Sequence, residues 1–285
     1  MSLLIQISDT HFGTEQADVV EALVRLIQEQ SPELVVLSGD ITQRARRSQF
    51  AAARAFVDRL APTPLVAIPG NHDIPLFNVG LRLLAPYANY RRAFGEELEP
   101  EFEQPQVLVV TVNTTRPYNH ADGEVSPAQI QRVAARLEAS PAAQLRIVVT
   151  HQPICALLPE DECNVLHGSA AAVRRWSEAG ADLILGGHIH LPYVCALHER
   201  HPGVARRLWA VQAGTAVSSR VRHGASNSVN LIRYGDGDGG RAPMSCTVER
   251  WDYQHHTRHF MPVNVIALDL DRSAAQGRAD KFSNE

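Results

Sequence analysis

Five short segments of this 285-residue chain carry side chains of the kinds that bind metal ions. Each segment directly follows a run that reads as a buried β-strand. Strand ends are where an open α/β sheet presents its ligand crevice, so we expect the five segments to meet in one site. They are Asp9-Thr10-His11, Gly39-Asp40, Gly70-Asn71-His72-Asp73, the single His151, and Gly186-Gly187-His188-Ile189-His190.

The residue types in these segments suit a pair of metal ions. Asp9 and His11 are two residues apart on a chain leaving a strand, so strand geometry predicts that both side chains project to one side. Asp40 offers two carboxylate oxygens and could bridge two cations, while His188 and His190 could bind one ion or straddle two. If Asp40 is counted twice, each metal has four protein ligands and open positions for water and substrate. The seven candidate ligands are Asp9, His11, Asp40, Asn71, His151, His188 and His190.

These candidate ligands offer nitrogen and oxygen, and none is a thiolate. Such a set suits Mn²⁺, Fe, Zn²⁺ or Co²⁺ better than soft ions, and the sequence does not choose among the four. The cysteines show no CxxC spacing, so we expect free thiols at Cys155, Cys163, Cys195 and Cys246.

The elements that must position the segments alternate between strand and helix over the first half of the chain. We predict strands over 3–8, 34–38, 65–68, 107–112, 145–150 and 182–185, and helices over 18–30, 48–60 and 126–137. This alternation favours a parallel sheet with right-handed crossovers. A looser stretch, 76–106, holds Arg82, Arg91 and Arg92 in a short helix. The later strands, joined in part through the turn 235–240, predict a second, antiparallel or mixed sheet from 208–213, 229–234 and 244–251.

Composition limits the classes of function. We expect one domain over 1–270 and a flexible C-terminal tail over 271–285. The formal net charge of −4 and the pI near 6.3 argue against a dedicated nucleic-acid-binding protein. No apolar run approaches the ~20 residues of a membrane span, and no signal peptide precedes the first segment, so we expect a cytoplasmic protein. Oligomeric state is left open.

The order D-x-H, GD, GNHD, a lone His and GHxH resembles the calcineurin-like metallophosphoesterase superfamily, and most closely its bacterial class III cyclic-nucleotide phosphodiesterase-like branch. The resemblance covers residues 9 to 190. It implies an α/β fold, a four-layer α-β-β-α sandwich of two mixed sheets flanked by helices. It also implies that the GHxH pair straddles two metals, the first held by Asp9, His11, Asp40 and His190 and the second by Asp40, Asn71, His151 and His188.

The resemblance further implies a dinuclear-metal-dependent phosphodiesterase that cleaves a small or nucleotide-like diester. A metal-bridging hydroxide would attack phosphorus in line, without a phospho-enzyme. His72 would face the scissile phosphate and stabilise or protonate the leaving oxygen, and Asp73 would orient His72. Planar guanidinium groups suit phosphate, and loops after strands can face substrate, so we also predict substrate contacts at His167, Arg220 and Arg222, with His120 a further candidate.

Several alternatives stay open. A DNA-repair-type nuclease shares these motifs but needs a basic groove. A protein phosphatase reads GDxxDRG, whereas this chain has Gln43-Arg44-Ala45 after Asp40-Ile41-Thr42. The cyclic-nucleotide branch commonly has Asp-x-Gly there, so this departure argues against cyclic AMP itself. Other cyclic nucleotides, glycerophosphodiesters, nucleotide-linked lipids and dinucleotides remain possible substrates. A phosphomonoesterase or a non-catalytic scaffold is also open. A further histidine group, predicted to be a solvated surface, comprises His255, His256 and His259.

Overall fold

Twelve strands form two mixed sheets in the computed structural model, which describes residues 1–204, 206–222, 224–236 and 244–271. The first sheet has the order β12-β11-β10-β1-β2-β3 and the second β4-β5-β6-β7-β9-β8. With helices packed on the outer face of each sheet, this confirms the predicted α/β fold class. The strands are β1 Ser2–Ile7, β2 Leu34–Leu37, β3 Leu65–Ala67, β4 Glu101–Gln104, β5 Val107–Thr111, β6 Leu145–Val149, β7 Leu183–Gly186, β8 Tyr193–Ala196, β9 Trp209–Gln212, β10 Ser228–Asp236, β11 Met244–Gln254 and β12 His259–Leu268.

Hydrophobic residues fill three layers between the elements. The strands β1 to β3 and β5 to β7 are almost wholly buried on both faces, as their continuous apolar runs predict. One cluster, which includes Leu4, Val36, Val109 and Leu185, lies between the two sheets. The other two clusters join each sheet to its helices. Those helices are α1 Ala17–Gln30, α2 Arg47–Asp58, α3 Val79–Leu84, α4 Ala88–Phe94, α5 Pro127–Glu138, α6 Ser169–Glu178 and α7 Leu197–Arg200.

The predicted division of strands between the sheets was wrong. The parallel strands of the first half are shared, with β1 to β3 in the first sheet and β5 to β7 in the second. The later strands do not form a sheet of their own, because β9 pairs parallel with β7, whereas β10 pairs antiparallel with β1 and β11 pairs antiparallel with β10, both in the first sheet. An apolar run shows that a strand is buried on both faces, but it does not show which neighbour the strand pairs with.

Local signals placed most helices within a few residues. The predicted start of α5 at Ser126-Pro127 is confirmed, since the Ser126 hydroxyl accepts a hydrogen bond from the backbone N–H of Gln129 at 3.2 Å. The stretch 76–106 contains two short helices and the edge strand β4 instead of the single predicted helix, with Arg82 in α3 and Arg91 and Arg92 in α4. The prediction also missed α6, α7, β8 and β12.

Two predictions concern segments outside the described residues. The Gly-rich turn predicted between β10 and β11 lies largely in 237–243, and the predicted C-terminal tail lies in 272–285 apart from Asp271. No helix in the described part of the chain is long and apolar enough to cross a membrane.

Candidate metal centre

The seven predicted metal ligands meet where the ends of five strands come together. Asp9 and His11 follow β1, Asp40 follows β2, and Asn71 follows β3, all in the first sheet. The second sheet supplies the remaining three ligands from the loops after β6 and β7, namely His151, His188 and His190. All seven are buried or nearly so. The site therefore lies across the seam between the two sheets.

The backbone of the ligand loops departs from the prediction. We expected Asp9 and His11 to project from extended chain, but both are in the left-handed region, with φ of 52° and 42°. Asp40, His188 and His190 share this conformation, with φ of 47°, 74° and 57°. Non-glycine residues rarely adopt positive φ, and such residues concentrate at functional sites. Each turns the chain sharply at a strand end, and this turn directs the side chain into the seam.

The first ligand cluster contains Asp9, His11 and His190, whose ligand atoms all lie within 4.8 Å of one another. Nε2 of His190 lies 3.3 Å from a carboxylate oxygen of Asp9 and 3.1 Å from Nε2 of His11. Oδ2 of Asp40 lies 3.7 Å from the same His11 nitrogen. The four side chains enclose a position that one cation could occupy.

The second ligand cluster contains Asp40, His151 and His188, again within 4.8 Å, together with Asn71. Nε2 of His151 lies 3.2 Å from Oδ1 of Asp40 and 3.2 Å from the amide oxygen of Asn71. Nδ1 of His188 lies 3.0 Å from that amide oxygen. Asp40 therefore presents one carboxylate oxygen to each cluster.

Backbone carbonyl groups fix the orientation of two of the imidazole rings. Nδ1 of His151 donates to the carbonyl of Ser38 at 2.9 Å, and Nδ1 of His190 donates to the carbonyl of Arg220 at 2.6 Å. A proton held on Nδ1 leaves the lone pair of Nε2 for a metal, which is the usual arrangement around ligating histidines. These contacts aim the Nε2 atoms into the two clusters.

Burial and mutual charge set the protonation of the ligands. Burial raises the pKa of Asp9, but the charge and hydrogen bond of His190 together with the charge of His151 outweigh burial and lower that pKa to about 2. Burial lowers the pKa of His11 to about 3 and that of His188 to about 4. An ionised carboxylate and neutral imidazoles are the forms that bind metal ions. Convergent lone pairs on nitrogen and oxygen, with no sulfur among them, fit two cations of the Mn, Fe, Zn or Co type.

Two glycines let the ligand loops approach one another. A Cβ atom on Gly39, whose φ is +99°, would collide with the ring of His151. A Cβ atom on Gly187 would lie 2.7 Å from a carboxylate oxygen of Asp9 and would collide with the Ser8 hydroxyl. The glycine of each of these motifs is thus required for close packing against a ligand or its neighbour.

Asp73 does not orient His72, contrary to the prediction. Its carboxylate accepts hydrogen bonds from the backbone N–H groups of Ile41, Thr42 and Gly70 at 2.8–3.0 Å, and from the Thr42 hydroxyl at 2.8 Å. Burial and the nearby Asp40 charge raise the pKa of Asp73 to about 7. Asp73 therefore joins the loop after β2 to the loop after β3.

Gln43 takes the role predicted for Asp73. Nδ1 of His72 donates to the main-chain carbonyl oxygen of Gln43 at 2.9 Å. Nε2 is then directed toward the metal centre and lies 4.0 Å from Oδ2 of Asp40. The ring is partly exposed and lies at the mouth of the site. The sequence held one signal for Gln43, namely that the cyclic-nucleotide branch commonly has the aspartate of Asp-x-Gly where this chain has Gln43.

Arg220 lies at the same mouth, where a substrate contact was predicted. One terminal nitrogen of its guanidinium donates to the side-chain oxygen of Gln43 at 3.0 Å and lies 3.3 Å from Nε2 of His72. It also lies 3.5 Å from Nδ1 of His11. Arg220 thus places a positive charge beside both the first cluster and His72.

The other predicted substrate contacts have different neighbours. Arg222 forms an ion pair with the buried Asp161 at 2.7 Å, and a longer one with Glu160 at 3.4 Å, so acidic groups already neutralise its charge. The side chain of His167 is 63% exposed and lies 4.0 Å from Asp122. His120 is closer to the centre, with its ring centroid 6.3 Å from that of His72.

The remaining histidine and cysteine groups lie elsewhere. His255, His256 and His259 are exposed around the turn between β11 and β12, as predicted for a solvated surface. Cys155, Cys163 and Cys195 are free thiols, and Cys155 and Cys195 lie in the core between the second sheet and its helices.

Residues 3–192 match the sequence model of the calcineurin-like phosphoesterase family. The chain belongs to this family. The family implies a metal-dependent hydrolase of phosphate esters, and the two ligand clusters are candidate sites for its metal ions.

One curated relative of this phosphoesterase is the glycerophosphodiester phosphodiesterase GpdQ of Enterobacter lignolyticus. The two are 39% identical over 84 residues, which cover 25% of this chain and 29% of GpdQ. The matched region is therefore less than a third of the relative's length.

Solved structures share the fold of this phosphoesterase. The purple acid phosphatase PPD1 from yellow lupin (Lupinus luteus) seeds superposes with a TM-score of 0.71 at 12% identity, covering 95% of this chain and 54% of that one. A dimetal phosphatase from Danio rerio has a TM-score of 0.64 at 14% identity, covering 95% of this chain and 99% of that one. At these identities the likeness concerns the fold alone.

Proposed function

We propose that this phosphoesterase is a dinuclear-metal-dependent phosphodiesterase that hydrolyses a small or nucleotide-like phosphodiester. The observation that carries the proposal is the position of Asp40, whose two carboxylate oxygens face separate ligand clusters. Oδ2 lies 3.7 Å from Nε2 of His11 in the first cluster, and Oδ1 lies 3.2 Å from Nε2 of His151 in the second. One shared carboxylate between two clusters is what a two-metal site needs to hold its ions about 3.5–4 Å apart.

The donor set supports an assignment of four ligands to each ion. Asp9, His11 and His190 would hold the first with Asp40, and Asn71, His151 and His188 would hold the second with Asp40. Four ligands per ion leave coordination positions open to water and to phosphate oxygens. When bound, two such cations supply an activated water nucleophile and neutralise charge on the phosphoryl oxygens.

The chain's own residues complete the site around the scissile phosphate. The Gln43 carbonyl fixes the ring of His72 so that Nε2 faces the centre. In its doubly protonated form, this imidazole can give the Nε2 proton to the leaving oxygen as the ester bond breaks. The Arg220 guanidinium stands beside it and is placed to donate hydrogen bonds to a non-bridging phosphate oxygen.

The preference for a diester is supported by the partial match to GpdQ, whose name assigns it glycerophosphodiesters. The mouth of the site adds a compatible charge arrangement. Among the described residues, Arg220 provides the guanidinium that lies within 3.5 Å of both His72 and His11. The second predicted arginine, Arg222, is paired with Asp161. A phosphodiester carries a single negative charge, which one guanidinium and the cations can bind.

The test is hydrolysis of bis(p-nitrophenyl) phosphate beside p-nitrophenyl phosphate, after EDTA stripping and restoration with Mn²⁺, Fe²⁺, Zn²⁺ or Co²⁺. We expect turnover that depends on metal and a higher kcat/KM for the diester. Asp40→Asn should abolish turnover, whereas Asp58→Asn, on the exposed surface of α2, should not change it. A higher kcat/KM for the monoester would make the protein a phosphomonoesterase. Absence of turnover with all four metals, in folded protein, would contradict the proposal.

A further inference from the structure

Five large apolar side chains are exposed in two segments that flank residues at the mouth of the metal site. Phe77, Val79, Leu83, Leu84 and Tyr118 are 80%, 61%, 69%, 88% and 76% exposed. We call these five side chains the apolar face. Single exposed apolar residues are ordinary, but several together on one part of a surface mark an interaction site.

Three members of the apolar face, Val79, Leu83 and Leu84, lie in the short helix α3. None of the residues of α3 is buried. Its attachment comes from Arg82, whose guanidinium donates to the carbonyls of Pro75 and Asn119 at 3.3 Å and 3.0 Å, and from Asn78, which caps its first turn. The helix is thus held through a polar side chain, while Leu83 and Leu84 remain exposed.

The apolar face borders the metal centre directly. It begins a few residues after His72, and the guanidinium of Arg44 lies 5.7 Å from the ring centroid of Phe77. Arg44 follows Gln43, which holds His72. On the other side, His120 lies two residues after Tyr118, and its ring centroid is 6.3 Å from that of His72. A surface bound to this face would lie beside the mouth of the site.

Two segments around the apolar face are basic, although the whole chain carries a net charge of −4. The segment with Tyr118 also contains Asp122 and Glu124, and the Tyr118 hydroxyl donates to Glu124 at 2.8 Å. Residues 41–57 and 74–94 contain no aspartate, glutamate or lysine. Of the arginines there, Arg54 and Arg91 form ion pairs with acidic residues just beyond the segments, and the described residues provide no carboxylate partner for the others. The seven arginines are Arg44, Arg46, Arg47, Arg54, Arg82, Arg91 and Arg92.

We propose that the apolar face and its arginines dock this protein on an anionic phospholipid surface. Exposed leucine, valine and aromatic side chains next to arginines without a carboxylate partner are the combination by which surface-bound helices enter the lipid headgroup region. Docking by α3 sets the metal centre at the level of the headgroups. The inference goes beyond the proposed hydrolysis and does not depend on it, because binding to a surface needs no turnover.

Charge selects lipid over a second copy of the chain. A two-fold dimer through this face would bring the same arginines of both copies together. An anionic surface is attracted by them instead, at about 1 kcal/mol for each arginine near the membrane. Nucleic acid would also attract the arginines, but the aliphatic side chains of Val79, Leu83 and Leu84 gain nothing from a phosphate backbone.

The experiment measures co-sedimentation of the full-length, metal-loaded protein with vesicles. Vesicles of phosphatidylcholine with phosphatidylglycerol are compared with phosphatidylcholine alone. We expect binding to the anionic vesicles, with a partition coefficient that falls at least about tenfold in Leu83→Ser/Leu84→Ser and in Arg46→Glu/Arg47→Glu. The matched control is Val263→Ser/Val265→Ser, two exposed apolar residues on the edge strand β12, which should bind like the parent protein.

Two further measurements distinguish docking through the apolar face from loss of folding and from binding through the metal centre. Turnover of bis(p-nitrophenyl) phosphate should be unchanged in Leu83→Ser/Leu84→Ser, which shows that the variant is folded. Excess inorganic phosphate at matched ionic strength should not release the protein, because the metal centre is not the lipid contact. Lack of binding to anionic vesicles, release by phosphate, or a dimer in solution that dissociates in Leu83→Ser/Leu84→Ser would each overturn the proposal.

Discussion

The carbonyl oxygen of Arg220 accepts the Nδ1 proton of His190 at 2.6 Å. The same residue directs its guanidinium to Gln43 and His72. One loop residue after β9 therefore orients a candidate metal ligand with its main chain and places a positive charge beside His72 with its side chain. Because these two roles use different atoms, substitution can separate them.

Replacement of Arg220 by Gln should reduce catalysis without loss of metal. A hydrogen bond from a charged group contributes about 1.5–3 kcal/mol, so kcat/KM for bis(p-nitrophenyl) phosphate should fall roughly 10- to 100-fold. Metal content, measured by mass spectrometry, should stay the same because the carbonyl that holds His190 remains. Arg222→Gln is the matched control, since its charge is already paired with Asp161. An Arg220→Gln enzyme with the parent kcat/KM would show that this charge does not face substrate.

Replacement of His72 by Gln should affect substrates according to their leaving group. Loss of a general acid costs about 10²- to 10⁴-fold in rate. The full loss should appear with an alkyl diester such as a glycerophosphodiester, whose alkoxide must be protonated as it leaves. The loss with bis(p-nitrophenyl) phosphate should be smaller, because nitrophenolate leaves without a proton. Steady-state kinetics on both substrates decide the matter, and equal losses would mean that His72 only positions the phosphate.

A methyl group on Gly39 should damage the second ligand cluster. Gly39 and Gly95 have φ of +99° and +98°, but a Cβ atom on Gly39 collides with the His151 ring, whereas nothing lies within 4 Å of one on Gly95. Alanine at either position carries the backbone strain of positive φ, about 1–3 kcal/mol. Gly39→Ala should lose more stability in urea unfolding than Gly95→Ala, and only Gly39→Ala should bind less metal. Equal behaviour of the two variants would show that the collision is relieved at no cost.

The affinity of the second cluster for metal should rise with pH. Burial opposes protonation of His151, yet the Asp40 carboxylate outweighs it and raises the pKa of that ring to about 9. At pH 7 a cation must therefore displace a proton, and affinity should increase by up to about tenfold per pH unit until pH approaches the pKa. Zn²⁺ titrations between pH 6.5 and 9 measure this slope. A flat profile would mean that His151 is already neutral.

The same raised pKa has an opposite effect on the metal-free protein. A group whose folded pKa lies above its unfolded value stabilises the fold below the unfolded pKa, near 6.5 for histidine, and this contribution is lost as pH rises through the folded pKa. EDTA-stripped protein should therefore have a falling Tm between pH 7 and 9. His151→Gln, stripped in the same way, should show a shallower fall, and an equally steep one would contradict the assignment.

The convergence of the seven candidate metal ligands could be predicted from sequence because each lies beside a strand end that its own apolar run defines. The left-handed backbone at Asp9, His11 and Asp40 could not, since non-glycine residues seldom adopt it and only tertiary packing holds it. The partner of His72 was missed for a related reason. A carbonyl oxygen such as that of Gln43 exists at every position, and the fold alone decides which one meets the ring.

The substrate side of the site was harder to predict than the metal side. Arg220 and Arg222 share one loop and one chemistry, but Asp161, far away in sequence, pairs with only one of them. The choice between them rests on a long-range contact that no local pattern carries. The same limit applies to sheet order, because β9 and β10 follow each other in sequence but belong to different sheets.

The distribution of the ligands over the two sheets has a consequence for how the molecule comes apart. Each proposed ion takes ligands from the loops of β1 to β3 on one side and from those of β6 and β7 on the other. A bound ion is thus a cross-link that closes a loop between segments as distant as Asp9 and His190. The sheets cannot separate until these bonds break, so the lifetime of the folded protein should be governed by the rate at which the ions dissociate.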